Sequence, residues 1–556
     1  MLKLILGRAK SGKTRSIMEE IGRLASSGEK GMVLLVPEQY SHEAEREALR
    51  FCGDSFSLHA EVLSFTRMAH RALKECGLGQ KKFLDKGGRA LCMALALDAV
   101  GSRLKVYSAA RRQTAIAESL LAAIDELKSC CVSPEALESC AENRSDSFGD
   151  KLKDISLIFS AYNAICAKSA LDPSDRLGLL AENFHKSSFA GKRIFIDGFT
   201  DFTRQQLDII SAMLRSGCHI TVCLGCEGLS EGHDIFEPSR RAALSLIREA
   251  EDAGSPHEII SALKRSPATA MEHIEKQLFA FGKSNVDADG AVELRCAATV
   301  TSECEAAAAH CLRLVQEKQC RWRDIAIAVR CYDAYRAALE NIFSLYGIPL
   351  FSARKSDIFE KPVPALIQSA FAVINGGWSY EDMFTYLKTG LAGLSIEECD
   401  ELENYVFLWS LRGNAWTKED DWRAHPDGFG GEYTDETWEK LRRINRLRRK
   451  AAAPLALLQS LGKAGSTAAD HCRALSEFYD ALALPDTLSR RAKELKECGD
   501  ETLAAEYAQL WEIIVDATEQ CAAVLGDMET DMESFSKLFC LVLSKYSLGS
   551  IPLSAD

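Results

Sequence analysis

MLKLILGRAKSGKT, residues 1–14, joins a short apolar run to a glycine-bounded loop whose closing Lys13-Thr14 opens an amphipathic segment. That order predicts strand, phosphate-binding loop and helix, the G-x-x-x-x-G-K-[ST] arrangement. The residue types suit the chemistry. Gly7 and Gly12 let the backbone wrap around phosphate oxygens, and amides at the helix start point at the anion. Lys13 would reach the β- and γ-phosphates, and the Thr14 hydroxyl would sit on Mg²⁺. Gly7, Arg8, Ala9, Lys10, Ser11, Gly12, Lys13 and Thr14 are therefore the candidate ATP site. The competing reading is a glycine turn that binds nothing.

Outward from the loop, residues 14–27 read as a helix and 31–36 as a buried strand. Ser41 is placed to cap a further helix, and 60–65 read as a third strand. Strands alternating with helices imply a parallel, doubly wound sheet that gathers its ligands at the strands' carboxyl ends. From about residue 83 to 188 the strand signal gives way to alanine- and leucine-rich amphipathic segments, a helical insertion. The sheet resumes with strands at 192–197 and 219–224 around a helix at 203–216. Asp197, ending a buried strand, is the candidate carboxylate for the Mg²⁺ shell. Its plainer reading is a residue that starts the turn at Gly198.

A less regular stretch runs to about residue 285. A second alternating unit then follows, with strands expected at 292–297 and 324–329 and helices at 303–316 and 332–343. Beyond residue 362 the chain reads as helical almost throughout, with a basic helix over 440–450 and an acidic one over 527–533. The expected division is 1–82 and 191–285 for a P-loop sheet domain and 83–190 for its insertion. The start of a second sheet domain falls at 286–361, its helical insertion at 362–546, and a truncated return toward that sheet at 547–556.

Composition sets limits on this picture. The 556 residues exceed what one core usually serves. A net charge of −13 argues against a free-standing, non-specific DNA binder, while leaving room for a local basic groove. Twenty scattered cysteines without a secretory signal suggest a reduced, cytoplasmic protein. Cys223-Leu-Gly-Cys226 lacks the second ligand pair of a zinc site and reads as buried thiols at a strand end; no metal site is expected from cysteine or histidine spacing. The basic run over 440–450 reads equally as a path along duplex phosphates or as a solvated face.

Two P-loop-type sheets, each interrupted by helices, form the layout of a superfamily 1 helicase. GRAKSGKT, LLVPEQYSHEAE, VLSFTRMAHRAL, IFIDGFTDFT, DIAIAVRCYDAY and YLKTGLAGLSIEECDELENYVFLWSLRGNAW narrow this further. With these phrases the whole chain resembles the AddB family, subunits of the AddAB helicase–nucleases of Gram-positive bacteria. The resemblance implies an AddA partner, work on broken DNA ends, and Chi recognition by a helicase-like scaffold that is not itself the motor. It also implies that this chain is the N-terminal portion of a protein about twice as long, whose nuclease and iron–sulfur cluster lie in the half not represented here. In superfamily 1 helicases the strand-end loops touch single-stranded DNA, and in AddB proteins that surface reads Chi. Here Gln39, Ser41, Phe65, Arg67, His70 and Phe199 fall on those loops. Phe65, His70 and Phe199 offer faces for splayed bases, and Arg67 and Gln39 offer donors to phosphates or base edges. The competing reading packs Phe65 and Phe199 into the sheet edge.

Two departures bear on turnover. An active motor follows its strand-end aspartate with a glutamate that activates water, where this chain has Gly198. It also carries a sensor glutamine after the next strand, where this chain reads Leu224-Gly-Cys-Glu-Gly228. Binding without hydrolysis is the expectation. An active helicase using an unidentified acid is the alternative, and a small-molecule kinase is disfavoured by the long insertions and second sheet.

Overall fold

The computed structural model describes residues 1–53, 56–78, 83–108, 114–230, 234–261, 270–277, 285, 287, 290–351 and 358–546. They form two compact units, Met1–Val292 and Glu293–Asp556.

The first unit is built on six parallel strands: β1 (Leu2–Leu6), β2 (Met32–Leu35), β3 (Ala60–Leu63), β4 (Arg193–Ile196), β5 (His219–Leu224) and β6 (His257–Ser261). Their order across the sheet is β3-β2-β4-β5-β1-β6. Alternation along β1 explains the double winding. Leu2, Leu4 and Leu6 enter a core shared with Ile209, Ile210 and Met213, whereas Ile5 enters the opposite core with Ile17, Met18 and Ile21. Each fully buried leucine or isoleucine contributes about 1.5–3 kcal/mol, so both faces must be covered.

The strands predicted in this unit form, β5 over the whole of 219–224 and β2, β3 and β4 with trimmed ends. β3 stops at Leu63 because Ser64 caps the next helix, Phe65–Glu75, by accepting from the Arg67 amide. β6 carries no sequence signal, being an edge strand exposed along most of its length and, among the described residues, pairing with β1 alone. The insertion is helical, as expected, with helices Lys86–Val100, Thr114–Ser129, Pro134–Glu142, Ser147–Ser169 and Arg176–Asn183. A buried ionic cluster ties it together. Asp172 accepts from Tyr162 Oη at 3.0 Å and pairs with Lys128 at 2.8 Å and Arg89 at 2.9 Å. Asp125 holds Arg89 from the other side and accepts from Ser174 Oγ, while Gln205 of the helix Arg204–Arg215 donates to the Ser174 carbonyl. The insertion is thus hydrogen-bonded to a helix packed on the sheet.

In the second unit the helices Val300–Lys318 and Tyr332–Leu345 pack together, but 292–297 and 324–329 are not strands. Ile325 and Val329 lean on the helix pair, while residues 292–297 are exposed. A lone two-stranded pair is marginal in water, and among the described residues no third strand joins these two. The return toward a second sheet at 547–556 lies outside the described residues. Among the described residues eight longer helices follow residue 361, including Asp435–Ala464, which carries the basic run. The 527–533 acidic run is not a helix as a whole: it turns, Glu529 bridges to Thr467, and only Met532 begins a helix. Among the described residues no helix is long and apolar enough to cross a membrane.

Candidate nucleotide site and strand-end rim

The loop after β1 is anchored by the Gly7 amide, which donates to the Leu224 carbonyl at the end of β5. Its turn needs left-handed backbone at Lys10 (φ 58°) and Gly12 (φ 88°), and Gly12 then leads into the helix Lys13–Ser26. No side chain caps that helix, so its first amides remain directed at the loop's concavity. Lys13 Nζ folds back onto the loop, donating to the carbonyls of Gly7 at 2.6 Å and Arg8 at 2.8 Å. Burial draws its ammonium below the ordinary lysine value, and the nearby Asp197 charge partly opposes this.

Asp197 leaves β4, two strands away from β1, yet its Oδ2 accepts from Thr14 Oγ1 at 2.7 Å. The two candidate Mg²⁺-shell residues are brought together across the intervening β5. Asp197 is 8% exposed, and burial raises its carboxyl above the ordinary value against the hydrogen bonds from Thr14 and the Gly198 amide. A hard hydroxyl and a buried carboxylate converging at a phosphate-shaped loop fit Mg²⁺ bound with phosphates.

Gly198 stands in the left-handed region at φ 82°, and a Cβ built there would lie 3.1 Å from Pro37 Cδ. Hence both conformation and contact disfavour a side chain at the position where a motor carries its glutamate. The next carboxylate to influence Asp197 is Glu47, which accepts from Tyr40 Oη at 2.8 Å.

Arg8 takes a role that sequence reading missed. Its guanidinium reaches Glu275 Oε1 at 2.7 Å and the Glu275 carbonyl at 2.7 Å, lies 3.6 Å from Glu227, and sits over the Phe236 ring. The helix Ala270–Gln277 is thereby held against the loop. No local pattern announces a partner 267 residues away.

The rim forms as the parallel register requires. Leu35 is aligned with Leu63 and with Ile196, so the segments leaving β2, β3 and β4 share one carboxyl edge. Gln39, Arg67 and His70 are exposed there, and Ser41 is half-buried, its hydroxyl donating to the Glu38 carbonyl rather than accepting from a helix amide. Phe65 corrects the expectation of a stacking face: at 3% exposure it belongs to the core, because it opens a helix instead of ending a strand. Phe199 is half-buried, edge-on to Phe65 and stacked with Phe202. Thr66, Arg67, His70 and Arg176 line one cavity of about 330 Å³. Arg176 was not foreseen. It starts the helix that follows the ionic cluster, lies over Phe83 with 4.3 Å to the ring centroid, and keeps a buried Nε without a partner among the described residues. Cys223 and Cys226 are buried, and burial pushes both thiols up.

Residues 4–275, which contain the loop, Asp197 and the rim, match the family model described as ADDB, N-terminal. Through this region the chain belongs to the AddB family. Curated proteins named as a subunit of an ATP-dependent helicase/deoxyribonuclease align with the whole chain. That of Acetivibrio thermocellus is 32% identical over 570 residues, covering 100% of this chain and 50% of its own length. That of Caldanaerobacter subterraneus is 30% identical over 571 residues, and that of Clostridium acetobutylicum 29% over 572 residues, each covered to 49%. The chain spans about half the length of these curated relatives. The AddB match ends at residue 275, whereas the alignment with relatives continues through the helical second unit.

Proposed function

We propose that this AddB-type chain binds Mg-ATP and single-stranded DNA as a non-motor part of a helicase–nuclease that processes double-strand breaks with an AddA-type partner. The Thr14–Asp197 contact beside a loop with uncapped helix amides carries the nucleotide reading. In the bound form Lys13 exchanges the Gly7 and Arg8 carbonyls for phosphate oxygens, and Thr14 and Asp197 hold the Mg²⁺ that neutralises them. Helix amides orient the phosphates. Gly198 supplies no base, so the bound nucleotide persists.

Calorimetry with Mg-ATP tests this. Lys13→Ala removes a charge-assisted contact of about 1.5–3 kcal/mol, an expected loss of roughly 10- to 150-fold in affinity. Unchanged affinity would exclude the loop as the site.

The rim supports the DNA reading through Gln39, Arg67 and His70, with Arg176 added and Phe65 removed. Substituting Arg67 and Gln39 is expected to impair the Chi response of the assembled complex while Mg-ATP still binds. A normal response in both variants would move recognition elsewhere. A second reading, active hydrolysis, draws on Glu47, the carboxylate that acts on Asp197 beyond the loop. It requires Tyr40 to release Glu47, and loss of ATPase activity in Glu47→Gln would support it.

A further inference from the structure

The basic run on the helix Asp435–Ala464 is resolved by the structure into cations with different duties. Arg448 is 1% exposed and structural: its guanidinium donates to the carbonyls of Ala415, Lys418 and Asp420 and lies over Trp422. Arg443 pairs with Glu401, Arg449 with Asp421 and Lys440 with Asp427, all at the surface. Arg442, Arg446 and Lys450 are exposed and make no ion pair or hydrogen bond among the described residues. They are spaced i, i+4, i+8, one stripe about 12 Å long. Asp435 and Glu439 stand on the same face toward the helix start, so the positive stripe begins at Arg442.

The stripe runs into a glycine turn. A Cβ on Gly393 would lie 3.7 Å from Lys450 Cε, and one on Gly390 would lie 3.8 Å from a terminal nitrogen of Arg491, whose guanidinium also pairs at the surface with Glu494 at 3.7 Å. Both glycines, Gly390 and Gly393, have positive φ, 72° and 82°. Two cations from different helices therefore flank a turn whose glycines carry no side chain and whose Leu391 and Ala392 are buried, where a phosphodiester backbone can approach closely.

We infer that Arg442, Arg446 and Lys450, continued by Arg491 across the Gly390–Gly393 turn, form a second DNA surface that holds the phosphate backbone of duplex DNA. Charge selects the occupant class, since an excess of cations on a chain of net charge −13 seeks a polyanion. Duplex is favoured over single strand because no aromatic residue stands between Arg442 and Lys450 to stack bases, and the exposed Trp438, one turn before Arg442, is packed against Tyr433. The straight helical stripe instead matches phosphates fixed at regular intervals along a rigid helix. Arg443 and Arg449 can join, because exposed ion pairs exchange partners at little cost.

The surface rests on the DNA-processing reading but not on nucleotide binding, and fluorescence anisotropy of the whole chain separates the two. The probe is a labelled duplex oligonucleotide titrated at several salt concentrations. The triple variant Arg442→Gln/Arg446→Gln/Lys450→Gln is expected to bind about tenfold or more weakly at ~0.1 M salt. Its salt slope should be shallower by about two to three, with unchanged Mg-ATP affinity. A charge-matched control, Lys463→Gln/Arg473→Gln/Lys537→Gln, should keep both affinity and slope. Equal loss in the control would reduce the effect to net charge, and an unchanged slope in the stripe variant would overturn the assignment. Equally tight, stripe-dependent binding of polyglutamate would assign the surface to an acidic protein and also overturn it. Failure to bind ATP with the stripe effect intact would refute the nucleotide reading alone.

Discussion

Asp172→Ala is expected to cost the first unit about 3–5 kcal/mol of stability, the range for removing one member of a buried ionic group. The Asp172 side chain is 1% exposed and takes hydrogen bonds or ion pairs from Tyr162, Lys128, Arg89 and the Ser174 amide. Alanine would strand Lys128, 7% exposed, with only Asp175, and leave Arg89 with only Asp125 and the Tyr162 hydroxyl. Burial alone would raise the Asp172 carboxyl, but the Lys128 and Arg89 charges outweigh it and hold the group below its ordinary 3.8. The sign follows from that depression. The carboxylate stabilises the fold fully above the unfolded value near 3.8, and the contribution is lost as pH falls through the lower folded value. Urea unfolding should therefore separate wild type and variant widely at about pH 7 and bring them together well below the ordinary carboxylate value. A difference under about 1 kcal/mol at neutral pH would show that the cluster is not holding the insertion. Lys128→Met added to Asp172→Ala should recover part of the loss, because the stranded charge goes with it.

Phosphate release from Mg-ATP, with or without single-stranded DNA, is expected to stay at least about a thousandfold below the 1–100 per second typical of kinases. Positioning and electrostatics supply most phosphoryl-transfer catalysis, and this site has neither a glutamate after Asp197 nor a glutamine after β5, where Glu227 stands beside Arg8. Restoring the acid should not restore turnover. Gly198→Glu forces a side chain into left-handed backbone against Pro37, with an expected stability loss of about 2–4 kcal/mol. A DNA-stimulated rate of about 1–100 per second in the wild type would mean that another carboxylate serves, and Glu47→Gln would identify it. A Gly198→Glu variant as stable as wild type would remove the steric reason for the glycine.

Legibility in the sequence followed the range over which each signal acts. β1, β2, β4 and β5 were readable because strands buried on both faces are continuous apolar runs, and the glycine-bounded loop after β1 because its residues are contiguous. Asp197 was found from its place after such a run, and its partner Thr14 followed from the chemistry of the motif. β6 was not, since an exposed edge strand has neither alternation nor an apolar run. Phe65 was misplaced by two residues of strand length: Ser64 acts as a helix cap, and that turns the ring inward. The runs at 292–297 and 324–329 have strand composition but no pairing partners among the described residues. Glu275 on Arg8 and Arg176 in the rim depend on contacts across long stretches of chain, which no local pattern encodes.

The sheet order has a consequence for synthesis. β1 lies between β5 and β6, with Leu2 aligned to Ile220 on one side and His257 on the other. At about 5–20 residues per second, the first of these partners leaves the ribosome roughly ten to forty seconds after β1, and the second later still. Until then LKLIL is an apolar strand with two unpaired edges, and the loop that follows it has no Leu224 carbonyl to anchor Gly7. The loop therefore cannot take its anchored form on the nascent chain until β5 has been made. Whatever protects β1 during that interval is neither of the two strands that flank it in the folded sheet.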